Sequence, residues 1–365
     1  MTGSTTRRRA GRRLTICVVA SSRFPIVEPF AGGLEAHTHT LVLALRARGH
    51  RVMLFAGPGS DPVLGADLLD VPQLVVSESA RRDVAAPPQL WMQEHHAYLG
   101  LMLALAARTD VDMVHNNSLH HLPVAMASTL RVPVVTTLHT PPLPWLESAV
   151  ALAPKGSSFI SVSDATRRSW AHAVPSTVVH NGVDTDFWGY GTGGERAVWS
   201  GRLVPEKAPH LALDAARRAG LTVDLYGPLV DAGYFAREVA PRLGPDATYG
   251  GHLDRRRLRA RLQRAAVALV TPVWEEPFGL VAAEAMSTGT PVAAFDRGAL
   301  GEVVGSRGGC LARADDVDDL ALAIRGALAL PRPDVRRYAQ ERYGIEAMVD
   351  GYEAVYDDLV PSAAS

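Results

Sequence analysis

Two carboxylates, Glu276 and Glu284, stand eight positions apart in the stretch Trp274-Glu275-Glu276-Pro277-Phe278-Gly279-Leu280-Val281-Ala282-Ala283-Glu284-Ala285-Met286. The run from Leu280 to Ser287 is rich in helix formers and stops at Gly289-Thr290-Pro291, which predicts a helix carrying Glu284. Pro277 suits the turn into that helix and Gly279 lets the backbone approach a ligand, so Glu276 is expected in the preceding loop. Eight residues at 1.5 Å each span roughly 12 Å, the scale of a nucleotide sugar from ribose to hexose. The free N–H groups of the helix start lie between the two acids and suit a diphosphate. A plainer reading is also open: Glu284 pairs with an Arg in the interior, and Glu276 merely favours the positive end of a helix dipole.

Arg202 and Lys207 are the matching cations, in Ser200-Gly201-Arg202-Leu203-Val204-Pro205-Glu206-Lys207 at the carboxyl end of an expected strand. Fixed there, they would stabilise the charge that grows on a departing nucleotide diphosphate more than they stabilise the ground state. Basic loop residues are more often simply solvated. Gly32 and Gly33 precede a helix and give its N-terminus an open approach, but the long loop before them is no dinucleotide fingerprint. His139 directly follows a strand, where it could donate to a sugar hydroxyl or a phosphate, or equally satisfy loop carbonyls. His115 and Asn116 end another strand and are candidates for the acceptor side of a cleft. Eleven of the thirteen histidines precede residue 185, yet their spacings complete no helix-borne ligand set, so no metal is expected. No Gly-x-Ser-x-Gly elbow supports hydrolase chemistry.

These residues need elements to position them. The chain of 365 residues is long enough for two domains, and 47% hydrophobic with 21% charged residues describes a folded protein. A formal net charge of −1 offers no global field for nucleic acid. Cys17 and Cys310 sit far apart in apolar runs, which predicts reduced thiols and a cytoplasmic setting. The arginines of residues 1–13 are read as a basic, disordered tail rather than a twin-arginine signal, and no apolar run is long enough to span a bilayer. Strand and helix patterns then alternate over 14–188 and again over 189–344, with Gly189, Gly191, Gly193 and Gly194 at the join. Two doubly wound α/β domains with parallel sheets, facing across a cleft, are the expected architecture.

The paired-glutamate stretch, continued through Gly289-Thr290-Pro291-Val292, resembles the donor signature of retaining glycosyltransferases of family 4, which have the GT-B fold. The Gly201-Arg202-Leu203…Lys207 segment, Gly32-Gly33-Leu34-Glu35, His139 and His180-Asn181-Gly182-Val183-Asp184 are similar to further landmarks of that family. One departure is Ala208, where a glycine is usual. The resemblance runs from Leu14 through nearly the whole chain. It implies a donor site of Gly33, Arg202, Lys207, Glu276, Phe278, Gly279, Leu280 and Glu284, with Glu276 on sugar hydroxyls and Glu284 on the ribose. Gly32 and Gly33 would face phosphate and acceptor, and His139 the reacting sugar. It further implies a UDP-sugar donor ahead of GDP or ADP, retention of configuration, no metal or other cofactor, and a last helix, within 345–365, that braces the first domain. The acceptor is not specified. A sugar-nucleotide epimerase of the same architecture and a non-catalytic nucleotide-sugar binder are the alternatives.

Overall fold

The computed structural model describes residues 12–154 and 156–360. Apart from Arg12 and Arg13, the expected tail over 1–13 lies outside the described residues.

Strands β1 (Thr15–Val19), β2 (Arg51–Phe55), β3 (Asp67–Leu69), β4 (Met113–Asn116), β5 (Val134–Leu138), β6 (Ser158–Ser161) and β7 (Thr177–Val178) form one sheet in the order 3-2-1-4-5-6-7. Strands β8 (Ala197–Ser200), β9 (Val223–Tyr226), β10 (Ala247–Tyr249), β11 (Val267–Val270), β12 (Val292–Phe295) and β13 (Gly309–Ala312) form a second, in the order 10-9-8-11-12-13. Every pairing is parallel: β1 runs beside β2 with Cys17 opposite Met53, and β11 beside β8 with Ala268 opposite Val198. Parallel strands need covering on both faces, which is why the central ones are continuous apolar runs such as Ile16–Val19 and Val267–Val270. Each sheet reverses its winding once, between β1 and β4 and between β8 and β11. Loops at the carboxyl ends diverge at such points and leave a crevice.

Helices α1 (Gly33–Ala47), α2 (Gln89–Ala107), α3 (Pro144–Ala151) and α4 (Asp164–Trp170) serve the first sheet; α5 (Pro209–Ala219), α6 (Arg255–Gln263), α7 (Leu280–Ser287), α8 (Leu300–Gly308), α9 (Val317–Leu328) and α10 (Arg332–Tyr343) serve the second. The last helix, α11 (Ile345–Leu359), returns to the first domain, where Met348, Val349, Tyr352 and Tyr356 join Ile16, Leu41, Met113 and Ile160 in one core.

Two segments depart from the sequence pattern. The helical run over 232–242 is broken into a turn at Ala232–Tyr234, a π segment at Phe235–Val239 and a 3-10 turn at Ala240–Arg242. Pro241 has no N–H to give and crowds the preceding turn, so the hydrogen-bond register slips. Likewise the helix that starts at Leu122 stops at Ala125, and a 3-10 turn follows at Ala127–Thr129.

Candidate active site

Both winding reversals open into one cavity of about 800 Å³ between the domains. From the second domain, the loop after β8 supplies Arg202 and Lys207, and the loop after β11 supplies Trp274 and Glu276. Thr271, at the end of β11, ties the two loops together: its hydroxyl accepts the Trp199 Nε1–H (3.1 Å) and donates to the Lys207 carbonyl at 3.0 Å. Lys207 Nζ then meets Glu276 Oε2 at 2.5 Å, lies over the Trp274 ring at 5.0 Å, and the Trp274 Nε1–H donates to the same carboxylate oxygen at 3.2 Å. Arg202 stays half-exposed, with Glu206 as a loose partner at 3.5 Å.

Glu284 lies one turn inside α7 and lines the same cavity. Burial pushes its pKa up to about 7, against the downward pull of the Arg255 guanidinium. Gly279, at φ 89°, caps that helix in the left-handed region without any side-chain bond, leaving the first N–H groups open. Gly33, the first residue of α1, approaches Leu280, the first of α7, so closely that a Cβ would stand 3.4 Å from its Cδ1. Two helix N-termini therefore converge beside Arg202, Lys207 and Arg255. Such an arrangement suits a diphosphate. Phe278 and Leu280 fill in the lining on the α7 side.

On the first-domain side, Gly32, Gly33, Glu35, His37 and His139 line the cavity. His139 Nε2 is 2.7 Å from Asn117 Oδ1. The amide oxygen can only accept, so the neutral ring carries its proton on Nε2 and offers Nδ1 as an acceptor. Burial, with His37 and His115 nearby, holds its pKa well below the usual histidine range. It is thus positioned to take a hydrogen bond from a ligand. His37 packs edge-on against it at 5.0 Å, and burial lowers its pKa to about 4. His37 Nδ1 and Asn181 Oδ1 are buried without a hydrogen-bond partner, and both residues line the cavity. A polyhydroxylated ligand would satisfy such groups.

His115 and Asn116 do not reach the cleft, contrary to the sequence expectation. They lie on β4, the central strand, and are fully buried: His115 bonds Tyr356 Oη (2.7 Å) and Thr137 Oγ1 (2.8 Å), and Asn116 bonds Thr136 and Ser118. Alternation along a strand placed them against α11 and the sheet interior, and a polar residue at a strand end is no guide to which face it takes.

Glu35, His37, Trp274 and Arg255 are the site residues that sequence reasoning passed over. Glu35 was visible in the Gly-Gly-x-Glu pattern; its carboxyl is driven up by burial and drawn down by its own and Gly32's backbone N–H groups and by Arg202. The position of His37 follows only from the tertiary packing of α1 against α11. The fold also gathers His95, His120 and His121, which the linear spacing had given no reason to group. Burial and the neighbouring rings push His120 down to about 3 and lower His121 as well.

Comparison with known proteins settles the family. The profile Glycosyltransferase Family 4 matches residues 31–187, and Glycosyl transferases group 1 matches residues 188–343, so the two together run through both domains. The chain belongs to the family 4, group 1 glycosyltransferases of GT-B fold. Curated relatives of this glycosyltransferase include the glycogen synthase of Mycobacterium tuberculosis (strain ATCC 25618 / H37Rv), 29% identical over 87% of this chain and 88% of that one. The D-inositol 3-phosphate glycosyltransferase of Mycobacterium avium (strain 104) is also 29% identical, over 88% and 87%. Among solved structures, a glycosyltransferase involved in avilamycin A biosynthesis superposes with a TM-score of 0.71 at 22% identity, covering 96% of this chain and 99% of the other. The Anabaena protein HepE, in complex with UDP-glucose, gives 0.74 at 18%, covering 94% and 100%. At these identities the superpositions speak for the fold. Among the described residues, no helix is long and apolar enough to cross a membrane.

Proposed function

We propose that this glycosyltransferase moves a hexose from a nucleotide-diphosphate sugar, a UDP-sugar before a GDP-sugar, to an acceptor hydroxyl with retention of the anomeric configuration. One observation carries the reading: Arg202, Lys207, Glu276 and Glu284 line a single cavity bordered by the N-termini of α1 and α7, the latter without a side-chain cap. A diphosphate at the paired helix starts would put its ribose toward Glu284 and its sugar toward Glu276. The UDP-glucose bound by the Anabaena structural neighbour supports the choice of donor class.

The residues then divide the work. Arg202 and Lys207 meet the charge that collects on the leaving diphosphate as the glycosidic bond lengthens. Retention without an enzymic nucleophile requires attack on the face the diphosphate leaves. The phosphate oxygen itself takes the proton of the acceptor hydroxyl there, while Glu276 orients the sugar hydroxyls. His139 Nδ1 accepts a hydrogen bond from the bound sugar or acceptor. The cations of the site supply the charge that a divalent ion would otherwise bring.

The test is transfer assayed with screened nucleotide sugars. Removing one group that stabilises transition-state charge lowers turnover on the order of 10²–10³-fold. Arg202→Ala and Glu276→Gln are expected to fall in that range while remaining folded. Near-native rates from both would end the proposal, and an inverted product anomer would overturn the stereochemical part alone.

A further inference from the structure

We propose that His95, His120 and His121 bind a divalent transition-metal ion, with zinc the best match, in a site separate from the donor machinery. His95 stands on α2, and the other two in the loop that leaves β4. One nitrogen of each ring lies within 4.8 Å of one nitrogen of each of the others. Imidazole nitrogens bind zinc at about 2.0–2.1 Å, which sets two ligands of a tetrahedral ion roughly 3.3 Å apart. His120 and His121 stack at 4.4 Å, so one ring turns to bring its lone pair onto a shared ion.

The rings are braced for this. Trp91 stacks on His95 at 5.1 Å, Tyr98 on His120 at 4.2 Å, and Trp145 packs against His121 at 5.6 Å. His95 Nδ1 is buried with no hydrogen-bond partner. His120 Nδ1 accepts the Leu122 N–H at 3.2 Å, a long bond that gives way if this nitrogen ligates. Three imidazole nitrogens and no carboxylate in the cluster select zinc, copper or nickel over magnesium or calcium, and leave a fourth position for water.

His120, Tyr98 and Glu94 also line the first-domain side of the interdomain cavity. An ion there ties α2 to the loop after β4 and stiffens that wall. The proposal does not depend on the identity of the donor.

The experiment uses the full chain without a histidine tag, dialysed against EDTA and titrated with Co²⁺, then with Zn²⁺ as competitor. One Co²⁺ per chain is expected, with the visible absorption of four-coordinate cobalt, displaced by zinc. His95→Ala and His121→Ala should each weaken binding more than about tenfold, beyond what outer-shell changes alone inflict at their mildest. His172→Ala, an exposed histidine on Glu147, should bind as wild type. Absence of saturable binding at millimolar metal, or wild-type affinity in both alanine variants, overturns the site. Should a variant fold poorly, X-ray absorption of the zinc-loaded wild type decides: three imidazole nitrogens support the assignment, and an all-oxygen shell refutes it.

Discussion

Lys207 gives one of its three N–H donors to Glu276 at 2.5 Å, so a bound phosphate has to share the ammonium charge with that carboxylate. That competition separates affinity from turnover. Glu276→Gln removes the competing charge, and free UDP is expected to bind at least as tightly as to the wild type, while transfer falls on the order of 10²-fold. Calorimetry with UDP beside a transfer assay reads both; weakened UDP binding would mean that Glu276 assists rather than competes. Glu284 behaves differently because its pKa is raised to about 7 by burial. Its native form holds a proton that the unfolded chain releases near 4.5. The stability it contributes is therefore fully present below pH 4.5 and lost as pH rises through 7. At about 1.4 kcal/mol per unit, Glu284→Gln should exceed wild-type stability at pH 8 by on the order of 3 kcal/mol and nearly match it at pH 4.5. Denaturant melts at the two pH values decide this. Equal offsets at both would show that the carboxyl does not titrate between them.

The loops that present these groups depend on backbone conformations that favour glycine. Gly279 sits at φ 89°, and a Cβ there would stand 2.7 Å from Leu300 Cδ2. Gly279→Ala should cost about 1–2 kcal/mol from the left-handed strain alone and weaken donor binding by turning the α7 terminus. Ala208 shows the reverse case: it follows Lys207 at φ 44° and is fully buried, where the family usually has glycine. Ala208 itself takes the left-handed conformation that glycine adopts without strain. Ala208→Gly relieves about 1 kcal/mol of strain but gives up a buried methyl worth about 0.8 kcal/mol and adds backbone entropy to the unfolded chain. A change under about 1 kcal/mol is expected; a large gain or loss would show that the strain is misjudged.

Elements of this kind explain what could be read in the chain. Helix α7 matches its run of helix formers and its stop signal residue for residue, and Ser163 caps α4, its Oγ accepting the Thr166 N–H at 3.0 Å. The edge strands β3, β7, β10 and β13 escaped because an edge needs no continuous apolar run; Leu68 of β3 is exposed. Helix α10 escaped because its exposed face is nearly all charge, from Arg332 to Arg342, leaving only Val335, Tyr338, Ala339 and Tyr343 to pack. The second-domain lining of the cavity was legible because its groups cluster in two short segments. On the first-domain side Gly32, Gly33 and His139 were legible too, whereas His37 and Tyr98 stand on separate helices that only tertiary packing brings to one cavity.

At the scale of the whole molecule, the two domains share more than a cleft. Helix α11 follows the second domain in sequence but buries Tyr352 and Tyr356 in the core of the first. Arg48, at the end of α1, reaches Glu346, Asp350 and Glu353 along it, all at 2.7–2.8 Å. On the other side of the join, Ser163 of the first domain donates to the Pro277 carbonyl at 2.6 Å, and Glu302 of α8 receives the backbone N–H groups of Asp164 and Ala165. The Pro277 contact lies in the Glu276 loop itself, so movement of the first domain pulls on the donor site. Tyr352→Ala empties a fully buried aromatic position and should destabilise the first domain by about 3–5 kcal/mol. With α11 loosened, a single thermal transition should split in two, and UDP should raise only the later one, because the residues proposed to bind it lie mostly in the second domain. Scanning calorimetry with and without UDP checks this. A single transition that merely moves down as a whole would place the coupling in the Ser163–Pro277 and Glu302 contacts, and not in the returning helix.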